Sequence, residues 1–189
     1  MVIITSITFL FSVNDPEGLT DIIVEAIEAS GVRAILSKGW SGRSVKTGGD
    51  TKVPSKVREY PSCIYPIDKI PHDWLFPQVA GVVHHGGAGT VAAGLRAGVP
   101  CIIKPFFGDQ YFWADRVQEL GVGFALKKFN APKLTKLLKE LTSNTKLQEK
   151  AERMGVAIRA ENGVETGIYN GFESYFTIKQ SSAYTKTWL

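Results

Sequence analysis

The sequence predicts an α/β fold built on an open parallel sheet, and two stretches carry that expectation. The first is a β-rich apolar run from Val2 to Phe11 followed by a helical pattern and a second apolar run, a βαβ unit whose parallel strands are joined by a right-handed crossover. The second is Val82 to Gln110, which reads as strand, tight glycine turn, helix, strand and polar loop. With 189 residues, 44% of them hydrophobic, the chain is long enough to bury a real core, and one globular domain over 1–178 with a polar tail over 179–189 is expected.

Each element follows from its local pattern. After the first strand, Asn14 or Asp15 can cap a helix with Pro16 in its first turn. Leu19, Ile22, Ile23, Ala26 and Ile27 then recur at helical spacing before Gly31 closes it. Val32 to Leu36 is the second strand and Cys63 to Ile67 the third. Between them, residues 38–61 hold Gly39, Gly42, Gly48, Gly49 and Pro54 among Ser, Lys and Thr, a long mobile loop that is functional or an insertion, with Trp40 as its anchor on the core or, as the second reading, a stacking residue. Ile70 to Phe76 gives a turn and a short helix capped by Asp73, with Trp74 at an apolar, core position. Gln110 to Leu120 is a helix with Phe112, Trp113, Val117 and Leu120 inward, and Gly123 to Leu126 a short strand. A helix from Pro132 to Leu141 puts Leu134, Leu137, Leu138 and Leu141 on one face; helices over 145–160 and 164–176 follow.

Composition excludes several classes of function. Net charge is +4, but the densest basic run, Lys127 to Lys150, alternates with Glu140 and Glu149, so solvated helix faces are expected and no nucleic-acid stripe. A peripheral contact with an anionic membrane is compatible with that charge. No stretch approaches the ~20 apolar residues of a membrane span, and Met1 to Phe11 lacks the basic leader and cleavage site of a signal peptide. Cys63 and Cys101 fall in strands, where free buried thiols in a reducing, cytoplasmic setting are expected. No metal-ligand cluster is visible.

The chemistry concentrates in the central stretch. In Val82-Val83-His84-His85-Gly86-Gly87-Ala88-Gly89-Thr90, an apolar strand meets glycines that a small-residue helix leaves at once, ending on Gly98. Glycines allow positive φ and close approach, and the bare N–H groups at the helix start attract an anion such as phosphate. Two further features point to a ligand. A His pair precedes the turn, and Asp109-Gln110 follows the next strand, so both lie at the carboxyl edge where open α/β sheets bind ligands. Strand alternation sends His84 and His85 to opposite faces, His84 as a satisfied structural histidine. Gly87-Ala88-Gly89-Thr90-Val91-Ala92 also fits the dinucleotide pattern G-x-G-x-x-A, with Asp109 20 residues after Gly89. That match places the acid beyond a further loop, after Lys104-Pro105, and not at the strand end that ribose recognition uses.

The joint pattern carries a family resemblance. His84-His85-Gly86-Gly87-Ala88-Gly89-Thr90, Gly98-Val99-Pro100 and Lys104-Pro105-Phe106-Phe107-Gly108-Asp109-Gln110 resemble the donor-binding signature of UDP-dependent glycosyltransferases, and most of all that of the fungal sterol 3-beta-glucosyltransferases. Pro71-His72-Asp73-Trp74-Leu75-Phe76 and Gly121-Val122-Gly123 fit as well, so the resemblance runs from about Asp15 to Tyr169. It implies a Rossmann-like doubly wound parallel sheet, the C-terminal half of a two-domain B-type glycosyltransferase. It also implies that the Ile70 backbone and His72 contact uridine, that Ala88, Gly89 and Thr90 with His85 hold the diphosphate, and that Asp109 and Gln110 read the glucose hydroxyls. UDP-glucose is then a co-substrate and no cofactor is called for.

Two departures from the family pattern qualify this. Family members end the opening strand in a Gly-Phe-Gly-Ser turn near the phosphates, where this chain has Ile7-Thr8-Phe9-Leu10. The family's acceptor domain and its catalytic base find no counterpart in the sequence, so efficient transfer to a sterol is expected only with an N-terminal acceptor domain. Three readings follow, in order: the UDP-glucose-binding half of a sterol glucosyltransferase, a non-catalytic nucleotide-sugar-binding subunit that docks on a separate acceptor-binding partner, and an NAD-binding oxidoreductase domain.

Overall fold

The structure, a computed structural model, describes residues 2–4, 16–37, 59–67 and 70–163. The chain divides into two compact units, Met1–Val156 and Ala157–Leu189. In the first, strands β1 (Val2–Ile4), β2 (Ala34–Ser37), β3 (Ile64–Ile67), β4 (Val82–His84), β5 (Cys101–Ile103) and β6 (Gly123–Ala125) form one sheet in the order β3-β2-β1-β4-β5-β6. Every pair is parallel, with Ile3 beside Ile35 and Val82, and Ile102 beside Val83 and Phe124. The strand order reverses between β1 and β4, the switch point of a doubly wound sheet.

Alternation along the strands sorts the core into two layers. Val83 and Ile102 face a cluster with Leu19, Ile23 and Ile27 of α1 (Pro16–Ser30) and Leu134, Leu138 and Leu141 of α5 (Ala131–Ser143). Val82, Cys101 and Ile103 face the other way, onto Leu75 of α2 (His72–Leu75), Val91 of α3 (Ala88–Ala97) and Ala114 and Val117 of α4 (Gln110–Glu119). Helix α6 spans Thr145–Ala160. Both faces are thus covered, as a parallel sheet requires. Helix α3 lies close because Gly94 carries no side chain; a Cβ there would sit 2.9 Å from the Cys101 Sγ. Cys101 is fully buried, and burial pushes its thiol up to about 12. Cys63, also a free thiol, is only half-buried.

Most predicted elements appear with trimmed ends: β2 begins at Ala34 and β3 at Ile64, while α5 begins one residue early, capped by the Asn130 side chain accepting from the Lys133 N–H at 2.9 Å. Three side chains depart from expectation. Phe112 is 62% exposed, because the buried stripe of α4 is Gln110, Ala114 and Val117, and Phe112 falls on its far side. Trp74 is 59% exposed, because α2 is a single turn whose inward places go to Leu75 and then Phe76 in the following 3₁₀ turn, Phe76–Gln78. Asp73 sits inside that turn and Pro71 is the N-cap, without a side-chain bond. Residues 38–58 of the expected 38–61 loop, Trp40 among them, the Ile7-Thr8-Phe9-Leu10 segment, the capping Asn14 and Asp15, the 164–176 helix and the tail lie outside the described residues. Among the described residues no helix is long and apolar enough to cross a membrane, and no cluster of three His, Cys, Asp or Glu could hold a metal.

Candidate functional site

Strand β4 stops at His84, where its carbonyl accepts the Lys104 N–H at 2.9 Å. The chain then turns sharply through Gly86 at φ +96°, a conformation that side chains resist. Space forbids one as well: a Cβ on Gly86 would lie 2.6 Å from the Ile103 Cγ2 and 3.3 Å from the Gln110 carbonyl oxygen. Gly87 is the N-cap of α3, and its carbonyl accepts from Thr90 at 2.9 Å and Val91 at 3.0 Å. The N–H groups of Ala88 and Gly89 therefore precede the helical ladder, and both residues are exposed. A Cβ on Gly89 would meet nothing within 4 Å among the described residues. Among the described residues, the turn thus leaves these amides and a helix N-terminus uncovered at the carboxyl edge, beside the switch point.

The two histidines of the turn do not sit on opposite faces as strand alternation predicts. Their rings meet edge to face with centroids 6.5 Å apart at 83°, because β4 ends at His84 and period-two alternation ends with it. His84 is fully buried; its Nδ1 accepts the Gly86 N–H at 3.1 Å, while Nε2 has no partner among the described residues. The expectation of a fully satisfied histidine holds for one nitrogen only. Burial, with the neighbouring His85 and His72 acting in the same sense, lowers His84 to about 3 and keeps it neutral. His85 is 9% exposed and lies over Gly87, whose Cβ would come within 2.6 Å of the His85 Nε2. His72, half-buried on α2, stacks on Phe76 with centroids 4.6 Å apart at 15°. Desolvation holds His72 below its ordinary value against the pull of Asp73, and His85 is near enough to lower it further. His72 thus lies at the same edge as His85. Ile70 lies just ahead, half-buried against the core layer of α2 and α3.

The loop after β5 is braced from within. Lys104 donates from Nζ to the Pro105 carbonyl at 2.7 Å and stands 4.2 Å from the centroid of the Phe106 ring. Gln110 is 3% exposed, and its Oε1 accepts from the N–H groups of Phe106 at 2.8 Å and Phe107 at 3.3 Å. Asp109 is exposed at the N-cap of α4, one carboxylate oxygen accepting from the Trp113 Nε1 at 3.0 Å. The two residues therefore differ in kind. Asp109 presents a carboxylate to solvent, whereas Gln110 spends its acceptor on the loop and keeps only its amide N–H groups for anything outside. Sequence reasoning missed this bracing role; the one signal for it is a side-chain amide three and four residues after a phenylalanine pair.

A groove of about 610 Å³ lies elsewhere, lined by Pro77, Val79, Gly98, Pro100, Glu149 and Arg153. These residues mark the amino ends of β4 and β5, the edge opposite the glycine turn, and none of them is a predicted site residue.

A doubly wound parallel sheet with a glycine turn and a helix N-terminus beside its switch point defines a domain of the Rossmann-like α/β class. Residues 47–164 match the family described as Erythromycin biosynthesis protein CIII-like, C-terminal domain, and the chain belongs to that family. It is 52% identical over 156 residues to a sterol 3-beta-glucosyltransferase of Kluyveromyces lactis, an alignment that covers 82% of this chain and 13% of that protein. The chain thus spans a small part of the length of such relatives. Among solved structures it resembles the calicheamicin glycosyltransferase CalG4, with a TM-score of 0.67 at 19% identity over 93% of this chain and 43% of that one. The glycosyltransferase VinC, solved in complex with dTDP, gives 0.62 at 21% identity over 84% of this chain and 37% of its own. Both likenesses concern the fold. The expected glycosyltransferase resemblance and the doubly wound parallel fold are borne out.

Proposed function

We propose that this chain is the UDP-glucose-binding half of a sterol 3-beta-glucosyltransferase, the parent enzyme moving glucose from UDP-glucose to a sterol 3-hydroxyl. One observation carries the reading: the bare amides of Ala88 and Gly89 at the start of α3 are flanked by His85 and followed, one strand on, by the exposed carboxylate of Asp109. The name of the Kluyveromyces lactis relative supplies the acceptor class, and VinC, a protein of like fold solved in complex with dTDP, supports a nucleoside diphosphate as the class of ligand.

In this reading the uridine lies along Ile70 and His72, the diphosphate on Ala88, Gly89, Thr90 and His85, and the glucose against Asp109 and Gln110. Negative charge grows on the leaving diphosphate as the acceptor hydroxyl attacks the sugar. Fixed N–H donors, a helix N-terminus and His85 stabilise that charge without rearranging. Asp109 accepts from sugar hydroxyls, and Gln110, its Oε1 already engaged, contributes only as a donor. The scheme needs no cofactor. The general base and the sterol site belong to an acceptor domain, and the setting is cytoplasmic, with peripheral membrane contact for an apolar acceptor. Titration calorimetry tests the roles: Asp109→Ala weakens UDP-glucose by about tenfold while leaving UDP unchanged, since one hydrogen bond to a charged group is lost. Equal losses for the two ligands would overturn the sugar assignment.

A further inference from the structure

We propose that His84 is a positioning residue for the diphosphate-binding turn: through Nδ1 it holds the Gly86 N–H inside the fold, so that the amides of Ala88 and Gly89 and the His85 ring face outward together. The Gly86 N–H donates to the His84 Nδ1 at 3.1 Å, which requires a lone pair on Nδ1 and therefore the proton on Nε2. A leucine would fill the same fully buried place without an unpaired Nε2–H, but it would take the acceptor from the Gly86 N–H. The imidazole instead leaves Nε2 without a partner among the described residues, and what it adds is the Nδ1 acceptor. The bond acts at the residue of this turn where the backbone has little margin. Gly86 stands at φ +96° with Ile103 and the first turn of α4 pressed against its Cα, so rotation of the preceding peptide would redirect the amides that follow.

An imidazolium would place a second N–H against that of Gly86 and break the bond. Among the described residues, the titratable groups that act on His84 are His85 of the same turn and His72 of α2, and both oppose its protonation. The turn therefore stays in its outward-facing form throughout the neutral range. This role rests on the nucleotide-sugar reading, because an outward amide pair matters only to an anion.

The test uses the full chain with two readouts. In the ligand-free protein, long-range 1H–15N spectra report the tautomer of His84, and amide exchange reports the protection of Gly86. The expected result is a neutral Nε2–H tautomer, with Gly86 protected in the unsubstituted chain and in His84→Asn, whose amide oxygen replaces Nδ1, and unprotected in His84→Leu. With UDP as probe, His84→Leu weakens binding about tenfold, His84→Asn stays within about threefold of the unsubstituted chain, and neither changes binding of uridine. A proton on Nδ1, unchanged Gly86 exchange in His84→Leu, or equal UDP losses in the two variants would overturn the proposal. If the unsubstituted chain takes up no UDP, the nucleotide-sugar reading fails instead, and the tautomer and the Gly86 exchange still decide whether His84 holds the turn.

Discussion

Replacing Gly87 with alanine separates the geometry of the diphosphate site from the stability of the fold. The backbone at Gly87 has φ −61°, which alanine adopts without strain. Its new methyl, however, would lie 2.6 Å from the His85 Nε2, at the far end of a side chain that can swing. The ring must retreat by about 0.8 Å to reach ordinary contact, and a hydrogen bond of ~2.9 Å stretched that far is no longer one. The lost charge-assisted bond is worth about 1.5–3 kcal/mol, so UDP affinity falls about ten- to a hundredfold. Stability changes little, because Gly and Ala differ by about 1 kcal/mol or less at an N-cap. A double-mutant cycle by titration calorimetry isolates the cause. His85→Ala alone loses a similar amount, and Gly87→Ala adds nothing in that background, where the methyl has no ring to displace. Additive losses would mean that the methyl blocks the ligand directly, and unchanged affinity in Gly87→Ala would refute His85 as a phosphate contact.

Gly89→Ala is expected to act in opposite senses on fold and ligand. The methyl meets nothing within 4 Å and improves helix propensity by up to about 1 kcal/mol, seen as a raised Tm, yet it stands where phosphate approaches the backbone and weakens UDP. The acid limb of stability reports on His84. Its folded value near 3 lies below the ordinary 6.5, so between those limits the unfolded chain binds a proton that the folded chain does not. Stability therefore falls on acidification, and the unsubstituted chain should lose about 1.4 kcal/mol per pH unit more than His84→Asn between pH 6 and 4, measured by urea unfolding. His72, also lowered, acts in the same sense but is present in both proteins and cancels in the comparison.

The parallel sheet and its main helices were legible because their signals are long-range periodicities. Leu134, Leu138 and Leu141 recur over about two turns of α5, and one-sided burial is the only way to satisfy such a stripe. The glycine turn was legible because few backbones accommodate Gly86-Gly87 between a strand and a helix. Short elements were not: α2 is one turn long, and one turn has no periodicity to say that Trp74 points outward. The same holds where regular structure stops. Alternation misplaced His85 because β4 had already ended, and α4 buries Gln110 in place of Phe112 because that amide turns back to the Phe106 and Phe107 backbone. The approach of His72 to the His pair joins distant segments across the sheet edge, which no local periodicity records.

Calorimetric titration of the purified chain with UDP, UDP-glucose and NAD tests the central claim most directly. A nucleotide-sugar-binding half binds both uridine ligands, UDP-glucose through the added contacts of Asp109, and ignores NAD. Binding of NAD without UDP, or no uptake of either uridine ligand by the folded chain, would contradict it.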